Sequence, residues 1–207
     1  MKFLVPVTTP LPKEFGVMAM PTTHRNYDGI KNGLVWGADC GAYNGKLNIE
    51  KYLEGLEALK KYKNTCLFVT VPDVIGDAKE TIKLYNETVN LFKGFPVAFV
   101  AQDGQENHKI PPCDCVFLGG TTAWKMSSHA IKIIKQAYGK HIHIGRVNYR
   151  KRYRNFSGIG GKESESWTCD GTRQRFEGID TAIEGWKEIM EEPLAPFLPL
   201  FDSNSFS

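Results

Sequence analysis

The sequence predicts an α/β fold, a TIM-like (β/α) barrel that is compact or incomplete, with parallel strands and a functional site at their carboxyl ends. The first observation is that short, β-branched apolar runs alternate with longer segments of helical period, which is typical of βα units. The second is a length of 207 residues, which suits one domain but is short for a complete eight-unit barrel of about 250 residues. An open doubly wound sheet remains the alternative, although no G-x-G-x-x-G turn follows the first strand.

The apolar runs predict seven strands, of which the last has the weakest pattern. They are residues 3–7, 34–38, 66–71, 97–101, 115–118, 141–145 and 166–169. Helical spacing of apolar residues predicts crossover helices at residues 49–62, 78–92, 123–137 and 181–190. A Gly-Gly-Thr-Thr turn precedes the third helix, and its threonines can cap that helix. We expect one domain over residues 1–192 and a coil with a frayed tail over residues 193–207.

Composition indicates an ordinary globular protein. No apolar run approaches the roughly 20 residues of a membrane span, and the N-terminus lacks the long apolar region of a signal peptide. We therefore expect a cytoplasmic protein with no membrane partner. The five cysteines are an odd, scattered set, which favours reduced thiols. Cys113 and Cys115 could begin a zinc site, but no further ligands follow at the usual spacing, so we expect neither metal nor cofactor.

Polar residues follow nearly every predicted strand. In a parallel α/β fold these positions share one rim, where ligands bind. The positions of interest are Asp39, Asp73, Gln102, Gly119, Gly120, Arg146 and Asp170.

Each rim residue also has an ordinary structural interpretation. Asp before Gly is a common turn former, and we assign Asp77 to a helix N-cap and Asp103 to a turn. Asp39, Asp73 and Asp170 differ because each closes an apolar strand. Carboxyl groups that lie close together raise at least one pKa, which lets one act as an acid while another stays ionised.

The glycine pair and a basic segment are both open to two interpretations. Gly119-Gly120 is either a flexible turn or a place where a flat ligand approaches backbone N–H groups. The basic segment either grips phosphates or forms a solvated loop or helix. Its cations, which are interleaved with Tyr149 and Tyr153, are Arg146, Arg150, Lys151, Arg152 and Arg154.

Six short motifs occur in the order GADCGAY, VPDVIGD, VAQDG, FLGGTT, IHIGRVN and CDGT across residues 34–178. This set resembles the tRNA-guanine transglycosylase superfamily, and more closely its phage and bacterial 7-deazaguanine DNA transglycosylases. The resemblance implies a (β/α) barrel that exchanges guanine in DNA for a 7-deazaguanine without cutting the backbone. The tRNA enzymes carry a zinc site of three cysteines and a histidine after the nucleophile. The chain has no cysteine or histidine after Asp170, which favours the DNA-acting branch.

The resemblance also implies roles for the rim residues. Asp170 corresponds to the nucleophile that attacks the sugar C1′, and Asp39 corresponds to the acid and base acting at the exchanged bases. Asp73, Gln102 and the Gly119-Gly120 backbone correspond to the groups that recognise the edge of the base.

The same resemblance implies partners. DNA and a 7-deazaguanine base would be the substrates, the basic segment would hold the DNA, and Arg173 and Arg175 would extend it. It allows a homodimer and, if a phage encodes the protein, places it in the host cytoplasm. Two alternatives stay open on the same scaffold: an N-glycoside hydrolase or nucleoside base transferase, and a non-catalytic module that binds nucleic acid or nucleobases.

Overall fold

The structure, a computed structural model, describes residues 1–42 and 47–191, without the side chain of Arg175. Within these residues, eight parallel strands close into a barrel in chain order. They are β1 (Lys2–Val5), β2 (Gly16–Ala19), β3 (Trp36–Ala38), β4 (Cys66–Thr70), β5 (Val97–Ala101), β6 (Cys115–Leu118), β7 (His141–Ile144) and β8 (Thr168–Asp170). β8 pairs back to β1, with Cys169 opposite Phe3. The predicted TIM-like barrel is confirmed. It is complete rather than incomplete, and it is not an open sheet.

Helices of very different length connect the strands. They are α1 (Asp28–Lys31), α2 (Ile49–Leu59), α3 (Ala78–Thr88), α4 (Thr122–Lys125), α5 (Ser128–Gln136), α6 (Arg150–Gly160), α7 (Gln174–Glu177) and α8 (Ile179–Glu191). Short 3-10 segments lie at Lys60–Thr65, Val89–Phe92, Gln105–Asn107 and Gly161–Ser166. Asp77 caps α3 by accepting a hydrogen bond from the N–H of Glu80. Thr121 caps α4 in the same way through Trp124.

The structure differs from the predicted elements at several points, three of which bear on the site. β2 was missed because its four residues have no alternating pattern and follow a proline-rich stretch. The helix expected over residues 123–137 is two helices, since the hydroxyl of Ser127 caps α5 after a break at Met126. The basic segment forms α6, in which Tyr153 and Phe156 are buried against the barrel.

The barrel interior and the layer between barrel and helices form separate apolar clusters. Phe3, Val5 and Trp36 belong to the outer layer, while Leu4 and Phe68 point inward, as expected for alternating residues of barrel strands. The ring of Phe68 packs against His141 and His143, which β7 directs into the same interior. Polar groups are therefore built into the axis of the barrel.

The remaining expectations concern the C-terminal coil, membrane spans, the cysteines and metal ligands. Tyr43 of the GADCGAY motif and the predicted coil over residues 193–207 lie outside the described residues. No helix among the described residues is long and apolar enough to cross a membrane. All five cysteines are free thiols. In the described part of the chain, no three His, Cys, Asp or Glu side chains are grouped so as to hold a metal ion.

Candidate active site

A pocket opens at the carboxyl ends of the strands. Its volume is about 160 Å³, close to the roughly 150 Å³ of an engineered cavity that takes up benzene, so it suits one ring-sized group. Met18, Val100 and Phe117 give it apolar walls. The structure brings together most of the residues expected at the rim. Those that line the pocket are Asp39, Asp73, Gln102, Gly119, Arg146 and Asp170.

Asp170 ends β8 and keeps 16% of its side chain exposed to the pocket. Its Oδ1 accepts a hydrogen bond of 2.6 Å from the backbone N–H of Arg146 and lies 3.6 Å from Nε2 of His143. Burial alone would raise the pKa of this carboxyl. The His143 ring, the Arg146 N–H and the charge of Lys125 outweigh burial and hold the pKa of Asp170 below its usual value. Asp170 is therefore an ionised carboxylate at neutral pH.

His143 is fully buried beneath Asp170, in a polar column along the barrel axis. Its Nδ1 lies 2.8 Å from Oγ1 of Thr168, and the same hydroxyl lies 2.9 Å from Nε2 of His141. Burial lowers the pKa of His141 to about 4, which keeps the His141 ring neutral. The column therefore fixes the orientation of the His143 ring and leaves its Nε2 facing the Asp170 carboxylate.

Asp39 and Asp73 have the opposite electrostatic character. Burial and the nearby charge of Asp170 raise the pKa of Asp39, although the N–H of Gly41 donates to its Oδ1 at 2.9 Å. Burial and the proximity of Asp39 raise the pKa of Asp73 to about 7. The pKa values of Asp39 and Asp73 are therefore both raised, whereas the pKa of Asp170 is lowered, so the three carboxyls differ in how readily they hold a proton.

Asp73 and Gln102 form a connected pair on the other side of the pocket. Nε2 of Gln102 donates to Oδ2 of Asp73 at 2.6 Å, and Oε1 of Gln102 accepts from the N–H of Gly76 at 3.0 Å. The hydrogen bond from Gly76 orients the Gln102 amide, so that its second N–H can donate to a ligand. The thiol of Cys40 lies 4.0 Å from Oδ1 of Asp73. The pair therefore offers carboxylate oxygens and an amide N–H to a ligand.

Gly119 leaves space in the pocket, and the N–H groups of the glycine pair form hydrogen bonds within the barrel. The N–H groups of Gly119 and Gly120 both donate to the carbonyl of Ala101, at 3.0 and 3.2 Å. Gly120 is not among the residues that line the pocket. A Cβ at Gly119 would lie 2.8 Å from Nε2 of Gln102, so only glycine leaves room for that amide. Both N–H groups are therefore engaged within the barrel, and the expected contact between the glycine backbone and a base stays a prediction.

The five cations of the basic segment occupy different places. Arg146 lines the pocket, where its Nη2 donates to the carbonyls of Gly119 and Gly120 at 3.2 and 2.6 Å. Arg152 turns inward and donates to the carbonyl of Arg146. Arg150, Lys151 and Arg154 are exposed on α6, with Arg150 3.8 Å from Glu188. The structure therefore divides the segment into an inner pair that shapes the pocket and an outer basic face.

Two buried residues near the site had no assigned role in the sequence interpretation. His143 gave a partial signal, because His141 and His143 alternate along one strand. Lys125 gave none, since a lysine on a short helix is ordinarily solvated. Its Nζ donates to the carbonyl of Gly145, and burial together with the charge of Arg146 lowers the pKa of Lys125 to about 7. Lys125 thus supports the turn that carries Arg146.

Comparison of the chain with protein-family models, with curated proteins and with solved structures found no match. The pocket geometry and the motif order are thus the grounds for a functional assignment.

Proposed function

We propose that the protein exchanges guanine in DNA for a 7-deazaguanine base through a covalent intermediate on Asp170. One observation carries the proposal: three carboxyl groups meet at one ring-sized pocket, with the pKa of Asp170 held low and the pKa values of Asp39 and Asp73 raised. Such a division favours an ionised Asp170 as the nucleophile and a protonated Asp39 as the acid at the same pH.

The exchange balances with these groups alone. The Asp170 carboxylate attacks C1′ of the target deoxynucleotide, the bond from C1′ to the base nitrogen breaks, and protonated Asp39 gives its proton to the departing guanine. The incoming deazaguanine then loses its ring N–H proton to Asp39 and bonds to C1′, which releases Asp170. One base and one proton leave, and one base and one proton arrive, so no cofactor is consumed.

The Asp73–Gln102 pair fits the edge of a guanine-like ring. Asp73 accepts from the ring N–H and the exocyclic amine, and the remaining N–H of Gln102 donates to the carbonyl. Phe117 and Val100 supply apolar contact for the ring. Both guanine and 7-deazaguanine carry this edge, so one pocket accepts the departing and the incoming base.

Access to a base in DNA requires extrusion of the target nucleotide and a grip on its phosphates. The exposed face of α6 supplies cations for that grip through Arg150, Lys151 and Arg154. Its position after β7 places it at the rim that carries Asp170.

The deciding experiment incubates the protein with single-stranded or duplex DNA and candidate deazaguanine bases, then digests the DNA to nucleosides for mass spectrometry. We expect a modified deoxynucleoside and, under denaturing conditions, a protein–DNA adduct. Asp170→Asn should remove both, by on the order of 10³-fold or more for the exchange, while Asp77→Asn, which alters only a helix cap, should retain them. Release of guanine without incorporation would indicate a hydrolase instead. Base binding without an adduct would indicate a non-catalytic module.

A further inference from the structure

A groove of about 430 Å³ lies directly beside the pocket and shares Thr172 with it. The wall between them is held by Asn148, whose Oδ1 accepts from the N–H of Thr172 at 2.7 Å and whose Nδ2 donates to the Thr172 hydroxyl at 3.1 Å. Thr172 follows Asp170 by two residues. A strand whose sugar sits on Asp170 would therefore pass over this wall into the groove.

The groove presents two aromatic side chains to solvent. Tyr149 is 69% exposed at the start of α6, and Phe176 is 84% exposed on α7. Single exposed apolar side chains are ordinary, but apolar side chains grouped in one groove mark a binding surface, and Tyr149 and Phe176 line the same groove. Val74 and Ile75, which follow Asp73, are also exposed at the rim. Most of the exposed large apolar residues in the described chain thus surround the mouth of the site.

The charges of the groove are balanced. Nη2 of Arg173 forms an ion pair with Oε2 of Glu177 at 2.7 Å, and Nη2 of Arg150 lies 3.8 Å from Oε2 of Glu188. Opposite charges in equal number do not select for phosphate, whereas Lys151 lies exposed on the neighbouring surface of α6. Exposed aromatic faces beside guanidinium groups are instead the surface on which unpaired bases stack.

We propose that this groove, lined by Tyr149 and Phe176, binds the base of a nucleotide that neighbours the target on the same DNA strand. This rests on the proposed function, because it needs a nucleotide extruded onto Asp170. The ligand is an unstacked nucleobase, recognised by stacking and not by sequence. The groove would hold the strand open while the target base occupies the pocket.

The test uses a single-stranded oligodeoxynucleotide with 2-aminopurine, a fluorescent base, placed on either side of one guanine. With the wild-type protein we expect the fluorescence to change on binding at one of the two positions. Phe176→Ala and Tyr149→Ala should remove that change and weaken binding about tenfold each, the size of one lost base stack. Tyr138→Ala is the matched control, since Tyr138 is 78% exposed just before β7, at the opposite end of the barrel.

Salt dependence separates stacking from phosphate contact. The slope of log affinity against log salt should stay unchanged in Phe176→Ala and fall in Lys151→Ala. The proposed base-binding role of the groove would be overturned if the wild type failed to bind, or if both aromatic substitutions left the probe signal and the affinity unchanged. Stacking without base exchange would leave the groove standing and remove the proposed function. Exchange with aromatic variants that bind normally would do the reverse.

Discussion

The backbone N–H of Arg146 donates a hydrogen bond of 2.6 Å to Oδ1 of Asp170, so the turn after β7 holds the carboxylate that ends β8. Arg146 adopts a φ of +60°, and it is the one non-glycine residue with positive φ in the described chain. Left-handed backbone costs a non-glycine residue about 1 kcal/mol or more. Such conformations gather at functional sites, where surrounding contacts hold them. Here the guanidinium contacts to Gly119 and Gly120 and the buried Lys125 supply that hold.

The strain at Arg146 predicts that glycine is more stabilising than alanine at this position, the reverse of the usual order. Arg146→Ala and Arg146→Gly lose the same side-chain contacts, but only glycine relaxes at positive φ. We expect the Gly variant to be more stable than the Ala variant by about 1 kcal/mol in urea unfolding. At an exposed helix position such as Lys151 the order should be the usual one, with Ala more stable. The same order at both sites would show that the turn is not strained.

Asp73 predicts a stability that depends on pH. Its folded pKa of about 7 exceeds the ordinary value, so the folded state holds the proton more tightly than the unfolded state does. The favourable contribution is complete below pH 4 and is lost as the pH rises to 7. Asp73→Asn removes this loss, so its unfolding free energy relative to wild type should rise between pH 4 and 8, by at most on the order of 4 kcal/mol. Urea unfolding of the wild type and of Asp73→Asn at the two pH values measures it, and a difference that does not change with pH would contradict the raised pKa.

His143 predicts a shift in the acid limb of the pH–rate profile. The contact with His143 lowers the pKa of Asp170, so His143→Phe should raise that pKa. Activity that needs ionised Asp170 would then be lost at higher pH than in the wild type. His143→Gln, which can place an amide N–H near Oδ1, should restore part of the shift. An unchanged acid limb in His143→Phe, with normal folding by circular dichroism, would contradict the role of His143 in lowering the pKa of Asp170.

Gly119 predicts a loss of base binding that its neighbour does not share. A Cβ at Gly119 would clash with the amide of Gln102, whereas a Cβ at Gly120 would clash with the ring of Trp124. Both alanine variants should be less stable, by about 1–3 kcal/mol. Only Gly119→Ala should also weaken guanine binding, measured by calorimetry, by about tenfold, as expected for one disturbed hydrogen bond to a charged group. Equal weakening by Gly120→Ala would restore a direct role for the backbone at that position.

The pattern of apolar runs was enough to predict seven of the eight strands and the parallel barrel. Buried parallel strands are apolar along their whole length, so the signal in residues 97–101 or 115–118 is local. The rim residues could be predicted from the sequence for the same reason, because a polar residue that closes such a run must lie at a strand end. Asp39, Asp73, Gln102 and Asp170 were therefore found without coordinates.

Tertiary structure alone decided the remaining features. β2 forms a strand because it pairs with β1 on one side and with β3 on the other. Gly16 packs so closely against Leu4 that an added Cβ would lie 2.5 Å from the Leu4 side chain. Neither of these contacts leaves a pattern in the local sequence. Closure with eight strands depends on the pairing of β8 with β1, across nearly the whole described chain. The carboxyls differ because the His143 ring and the Arg146 N–H outweigh the burial of Asp170, whereas burial and a neighbouring carboxyl raise the pKa of Asp39 and of Asp73. Sequence determines which groups reach the rim, and folding determines their neighbours and therefore their charge.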